Sequence, residues 1–141
     1  MPNREFFRAD ALTLAPALVG KLLVRRFPDG REKRLRITET EAYCGAEDTA
    51  CHAHKGKTKR AGILWRDGGT IYVYLCYGMH EMLNIVSGSE NDPQAVLIRC
   101  CEGFEGPGKL TKELGIDRSF NGLDILSCDG LRIEDDGTKV N

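Results

Sequence analysis

Glu39, Glu41, Tyr43 and His52 are the residues of this sequence whose types and spacing first suggest chemistry. They stand in the stretch Ile37 to His52, I-T-E-T-E-A-Y-C-G-A-E-D-T-A-C-H, which begins with the two-residue alternation of a β-strand. On such a strand Ile37, Glu39, Glu41 and Tyr43 share one face, and Thr38, Thr40 and Ala42 share the other. Acidic residues are depleted from strands, and a half-buried carboxylate is costly without a partner or a task. Two of them beside an aromatic ring, flanked by Leu35 and Ile37, therefore stand out. A carboxylate held there can take a proton from water and can stabilise a developing cation. Cys44-Gly45 breaks the strand, and a short acidic segment brings His52 back toward the same place. An edge strand with solvated glutamates is the ordinary alternative, since exposed charge is the common case.

A second group is Tyr77-Gly78-Met79, read as the tip of a hairpin between two good strands. A large aromatic and a methionine are poor choices for a solvent-exposed tip. They are either core filler or a wedge, because apolar side chains on a projecting turn can slip between stacked bases and hold a duplex bent. Basic residues cluster before the acidic strand (Lys21, Arg25, Arg26, Arg31, Lys33, Arg34, Arg36) and after it (Lys55, Lys57, Lys59, Arg60). Asp129, Glu134, Asp135 and Asp136 supply compensating acid near the C-terminus. This uneven distribution is consistent with a cationic face for an anionic partner, and equally with solvated charge runs. His52, His54 and His80 do not form a helical pair with a carboxylate, so no metal site is expected.

The elements that must position these groups follow from periodicity and punctuation. Asp10 is placed as the N-cap of a helix over A-L-T-L-A-P-A-L-V, ended by Gly20 and kept short or kinked by Pro16. Lys21 to Phe27 alternates as a strand, Pro28-Asp29-Gly30 is a turn, and Glu32 onward returns as the acidic strand. The region from His52 to Gly69 has no periodicity and reads as loop anchored by Ile63, Leu64 and Trp65. T-I-Y-V-Y-L-C, Thr70 to Cys76, is the strongest strand; Tyr72 and Tyr74 share one of its faces. His80 to Ser87 is its partner, Gln94 to Cys101 is a further apolar strand carrying Arg99, and Leu131 to Glu134 is a weak one. Gly106-Pro107-Gly108 precedes a short helix, Lys109 to Leu114, stopped by Gly115. The sum is a mixed α/β fold of the α+β type: a single domain over 1–141, with a curved, mainly antiparallel sheet and a few short helices.

The chain has 141 residues, enough for one core and too few for two. Twenty Lys and Arg oppose 21 Asp and Glu, so the net charge of −1 says less than its distribution. The apolar and charged fractions, 41% and 29%, are those of an ordinary globular protein. No apolar run has the length of a membrane span, and M-P-N-R-E does not resemble a secretory signal. The six cysteines lack paired metal spacing, which points to reduced thiols and a cytoplasmic location.

With these residues in place, the chain resembles a known family. T-E-T-E-A-Y, Glu47-Asp48 and His52, then G-T-I-Y-V-Y-L-C-Y-G-M-H with Asn84, then V-L-I-R ending at Arg99, and finally G-P-G-K-L occur in the order found in alkyladenine-type 3-methyladenine DNA glycosylases. The likeness runs from about Ala11 to about Asp124. It implies an enzyme that flips a damaged purine out of duplex DNA and hydrolyses its N-glycosidic bond. By the same resemblance Glu41 is the general base and Arg99 its neighbour at the catalytic water and sugar-phosphate. Tyr43, His52 and Tyr74 would sandwich the flipped base, and Asn84 would disfavour the exocyclic amine of guanine. Tyr77 would fill the gap in the helix with Met79 beside it, and Lys57, Lys59 and Arg60 would meet the DNA backbone.

No cofactor and no Schiff-base lysine are implied, so the expected product is an abasic site in an unbroken strand. The implied partner is double-stranded DNA containing damaged purines, met by a monomer with no obligatory protein partner and no membrane. The family pattern continues past the end of this chain, has a longer segment where G-F-E lies between Glu102 and Gly106, and often has asparagine where Ala61 stands. A non-catalytic DNA-binding module with the same pocket is the rival from another class. Curved sheets of this kind also occur in C-terminal accessory domains of formyltransferases, but fold likeness without the site carries no function.

Overall fold

The computed structural model describes residues 2–44 and 61–138. Two short helices open the chain, α1 (Arg4–Phe7) and α2 (Ala11–Leu18). Asp10 caps α2 as its sequence position requires, Oδ1 accepting the Thr13 amide at 2.8 Å. Ala11, Leu14, Ala15 and Leu18 repeat at helical spacing and are buried, while Pro16 lies on the exposed side two residues before the helix ends. The helix is thus short, as the proline dictates.

Among the described residues seven strands follow: β1 (Leu22–Arg26), β2 (Glu32–Cys44), β3 (Ile71–Cys76), β4 (His80–Val86), β5 (Gln94–Cys101), β6 (Phe104–Glu105) and β7 (Leu131–Glu134). They form one sheet in the order β3-β4-β5-β2-β1-β7, with β6 added to β5, and every pairing among the described residues is antiparallel. The helix α3 (Pro107–Leu114) ends on Gly115 in the left-handed conformation, φ 62°, with its amide bonded back to Lys112. Short 3-10 segments at Ala61–Trp65 and Arg118–Phe120, together with α1 and β6, are absent from the periodicity-based expectation. They are too short to leave a repeat. The G-F-E stretch closes as a tight hairpin: Cys101 pairs with Phe104 around Glu102-Gly103, and Gly103 supplies φ 85°.

β2 organises the sheet. Its first half pairs with β1 over Glu32–Arg36 and its second half with β5 from Ile37 to Cys44. Between the two the β2–β5 register slips, from Ile37↔Cys101 to Glu39↔Cys100 to Thr40↔Ile98. Such a bulge bends a strand and re-aims its side chains. It also corrects the simple alternation expected over this stretch. Ile37 turns into the main core, on the side where Ala42 packs and where the Thr40 hydroxyl donates to Ala15 O at 2.6 Å. Glu39 accepts the Cys100 thiol at 3.3 Å, whereas Glu41 takes Arg99.

The main core lies on that side, where α2 and α3 cover Ile71, Val73, Leu83, Ile85, Val96 and Ile98. A smaller apolar cluster lies on the opposite side: Ile63, Leu64, Tyr72, Val86 and Ala95, with Tyr43, Trp65 and Tyr74 against it. Ile63, Leu64 and Trp65 serve as the anchor anticipated for the connecting segment. Cys76, Cys100, Cys101 and Cys128 are free thiols, and burial pushes the Cys101 thiol up to about 12, leaving it a small apolar filler. Among the described residues no helix is long and apolar enough to cross a membrane.

Candidate active site

The smaller cluster forms the floor of the candidate site. Tyr72 of β3 faces Asn84 of β4, Asn84 faces Leu97 of β5, and Leu97 faces Glu41 of β2. Residues directly opposite in adjacent strands share a face, so one row crosses four strands from tyrosine to carboxylate. Glu41 and Asn84 are two strand spacings apart along this row, about 10 Å by ordinary sheet geometry. One step to one side of this row Tyr43 faces Ala95, and one step to the other side Tyr74 faces Met82.

Glu41 is held by a cation and flanked by a phenol. Arg99 Nη1 donates to its Oε2 at 2.6 Å. The Tyr43 phenol lies beside it; burial first, and then the charge and proximity of the Glu41 carboxylate, push that phenol up to about 12. Tyr43 therefore remains a protonated donor across the physiological range. The Arg99 guanidinium is raised above its ordinary value by its hydrogen bond to Glu41 and then by that carboxylate's charge. Both members of the pair are substantially exposed, 47% for Arg99 and 40% for Glu41, so the pair adds only about 0–1 kcal/mol to stability. Its effect is on orientation. The carboxylate is fixed on a face that water reaches.

Tyr74 lies against Tyr72 with ring centroids 5.3 Å apart at 39°, so its ring is seated on a nearly fully buried neighbour. The sequence puts Tyr72 on the same strand face as Tyr74 but gives it no role; the ring contact identifies it as the support. Asn84 is 2% exposed, and its Nδ2 donates to Tyr72 O at 3.3 Å and Met82 O at 3.2 Å. Its amide is thereby fixed in one orientation. The larger described cavities lie away from this row; one of ≈ 780 Å³ is lined by Arg4, Trp65, Arg66, Asp67 and Asp124. His52, expected as a pocket wall, lies outside the described residues, as do Lys57, Lys59 and Arg60.

The tip of the β3–β4 hairpin carries Tyr77 at 91% and Met79 at 74% exposure. They are not core filler. Tyr77 has φ 53° and Gly78 φ 66°, the two positive values that a primed hairpin turn requires, and the Met79 amide closes the turn on Cys76 O at 3.1 Å. Glycine bears such a φ without cost, whereas a bulky aromatic is strained by it and buries nothing in return.

Most of the first basic cluster is not a free cationic face. Lys33 pairs with Glu113 at 2.6 Å, Arg34 with Glu134 at 2.6 Å, Arg36 with Asp136 at 2.7 Å and Lys21 with Asp135 at 3.7 Å. Arg25 donates to Leu114 O at 2.8 Å and lies over the rings of Phe27 and Phe120. Glu134, Asp135 and Asp136 are the partners of Arg34, Lys21 and Arg36, and these pairs tie β7 and the residues after it to the β1–β2 hairpin.

Comparison with known proteins identifies the family. The family model of methylpurine-DNA glycosylase (MPG) matches residues 5–106. A protein of Borreliella afzelii (strain PKo), provisionally named 3-methyladenine DNA glycosylase, is 46% identical over 144 residues, covering 94% of this chain and 77% of its own length. Relatives under the same name from Psychrobacter cryohalolentis and Natranaerobius thermophilus are 43% and 41% identical, covering 94% and 87% of this chain and 76% and 73% of their own lengths. The matched span contains the Glu41–Arg99 pair, the tyrosines, Asn84 and the hairpin tip, and on these grounds the chain belongs to the methylpurine-DNA glycosylase family.

Proposed function

We propose that this chain is a monofunctional DNA glycosylase, acting as a monomer and a single domain over 1–141. Its substrates are alkylated or deaminated purines of the 3-methyladenine, 7-methylguanine and hypoxanthine type in double-stranded DNA. The observation that carries this reading is the Glu41 carboxylate, gripped by Arg99, flanked by Tyr43 and set in one row with Asn84 and Tyr72.

In the proposed reaction the damaged nucleotide leaves the stack, at least cost where it is already poorly paired, and its base enters between Tyr43 and Tyr74. An alkylated purine carries positive charge, which the faces of tyrosine rings attract. In an alkylated purine that charge makes the base a good leaving group, whereas neutral hypoxanthine takes up a proton from water as it departs; in both the protein's task lies at the sugar. As the bond from C1′ to the base nitrogen breaks, its electron pair departs with the base and C1′ becomes oxocarbenium-like. Glu41 stabilises that cation and takes a proton from water, whose oxygen bonds to C1′. Arg99 orients the carboxylate, and Asn84 tests the base edge. Tyr77, with Met79 beside it, fills the gap in the duplex. His52 is proposed as a further wall of the base site, and Lys57, Lys59 and Arg60 as backbone contacts.

The test is release of free base from a duplex carrying hypoxanthine or an alkylated purine, comparing wild type with Glu41→Gln. Wild-type release with an inert variant is the expected result. Equal inertness with retained lesion binding would make the chain a DNA-binding module instead. Product strands should stay intact, and borohydride should trap no protein–DNA adduct; a trapped adduct would contradict the single-function assignment.

A further inference from the structure

The outer half of the wedge hairpin has little sheet to lean on. Among the described residues β4 pairs with β5 only from Asn84 to Val86, and His80 to Leu83 have β3 as their sole strand neighbour. A two-stranded ribbon is marginally stable by itself, and one that separates stacked bases is also loaded sideways. What stands beside it is α3. Thr111 Oγ1 donates to Glu81 O at 2.9 Å, and Arg118 Nε lies 3.4 Å from Glu81 Oε1. Closer to the tip, the His80 ring rests directly on Gly108. A methyl at residue 108 would come within 2.5 Å of His80 Nδ1 and 2.9 Å of its Cγ. Gly108 does not have the positive φ that favours glycine, so space is what the position demands. An apolar recess of ≈ 290 Å³ between the two elements is lined by Cys76, Tyr77, His80, Met82 and Pro107.

We propose that the first turn of α3 buttresses the hairpin, and that His80 seated on Gly108 is the positioning pair that sets the angle at which Tyr77 is presented to the duplex. The inference rests on the reading that Tyr77 enters the DNA. Gly108→Ala drives the ring off its seat and tilts the ribbon about its inner, core-anchored half. Misplacing a reacting or positioning group by about an ångström can cost on the order of a hundredfold, so a loss of roughly tenfold or more in lesion binding and flipping is expected. His80→Ala removes the seated ring without a collision and should cost less. In the double variant most of the collision is gone, so it should behave like His80→Ala.

The experiment measures lesion-duplex affinity, flipping by fluorescence of 2-aminopurine beside the lesion, and thermal stability, for Gly108→Ala, His80→Ala, their combination, and each with Tyr77→Ser. The proposal requires that the double variant recover from Gly108→Ala and that either single change lose its effect once Tyr77 is absent. Equal losses with and without Tyr77, or additive losses in the double variant, would overturn it. If Gly108→Ala does not fold, the coupling of His80→Ala to Tyr77→Ser decides alone. Should Tyr77→Ser itself leave binding and flipping unchanged, the wedge reading fails; should it impair them while Gly108→Ala and His80→Ala do not, only the buttress fails.

Discussion

The two faces of the sheet make opposite use of the same strands. On one, Ile71, Val73, Leu83, Ile85, Val96 and Ile98 are sealed beneath helices and contribute only packing. On the other, alternate residues of those strands carry Tyr72, Tyr74, Asn84 and, on β2, Glu41 and Tyr43, over a floor of only a few fully buried side chains. Neighbours in the chain, such as Ala42 and Tyr43, thus serve different ends. The apolar face holds the sheet together, which allows the other to carry an exposed carboxylate and a guanidinium that add little stability. Substitutions on the two faces should therefore fail in different measurements.

Glu41→Gln should produce the largest effect, lowering base release roughly 10²- to 10⁴-fold, the usual contribution of a positioned general base. Its unfolding free energy should change by no more than about 0.5 kcal/mol, as for a surface site. A parallel collapse of stability in denaturant titration would merge the two faces and break the comparison. Ile85→Ala, at the centre of the sealed face, should instead cost about 2–5 kcal/mol of stability. Base release per folded molecule should be retained. Loss of release without loss of stability would place Ile85 in the chemistry.

Tyr77→Ser tests a third region, the tip that belongs to neither face. Lesion affinity should fall by about 1–3 kcal/mol, the range for one base–aromatic stack. The melting temperature should not move appreciably, because the ring is 91% exposed; a large drop would mean that it packs after all.

The smallest effects are pH effects on stability. Tyr43 is raised from 10.0 to about 12, so the unfolded chain loses that proton first as pH rises. Its contribution is complete below pH 10 and declines between about 10 and 12. Tyr43→Phe should flatten that part of the curve. In acid, Asp136 is held low chiefly by Arg36, and Glu134 by Arg132 and Arg34, so their contributions fade as pH falls below the ordinary carboxylate range. The ties of β7 and the following residues to β1 and β2 should loosen first there, visible as faster amide exchange over residues 131–138. Uniform protection down to low pH would show that these ion pairs do not anchor that edge.

Much of this was legible in the chain. Gln94–Cys101 and Leu131–Glu134 are strands at the bounds that their apolar patterns predict, and β3, β4 and α2 agree to within a few residues at their ends. Asp10 and Gly115 punctuate helices because a side-chain acceptor and a left-handed residue are local requirements. The bulge in β2 was not legible. It depends on the register against β5, and no residue between Ile37 and Thr40 announces it. The fate of the basic cluster was equally hidden, since Arg34 and Arg36 meet acids 100 residues away. Sequence spacing cannot show which distant charges fold against each other.

By itself the sequence determined the hairpins, the caps and the chemical kinds gathered in T-E-T-E-A-Y and Y-G-M, because alternation, capping and turn conformation are short-range. Tertiary structure alone decided that Ile37 leaves the face of Glu41, that Asn84 stands in line with Glu41 across β5, and that His80 sits on Gly108. Each of those depends on the register or packing of segments far apart in the chain, and these are fixed only when the apolar face of the sheet closes on its helices.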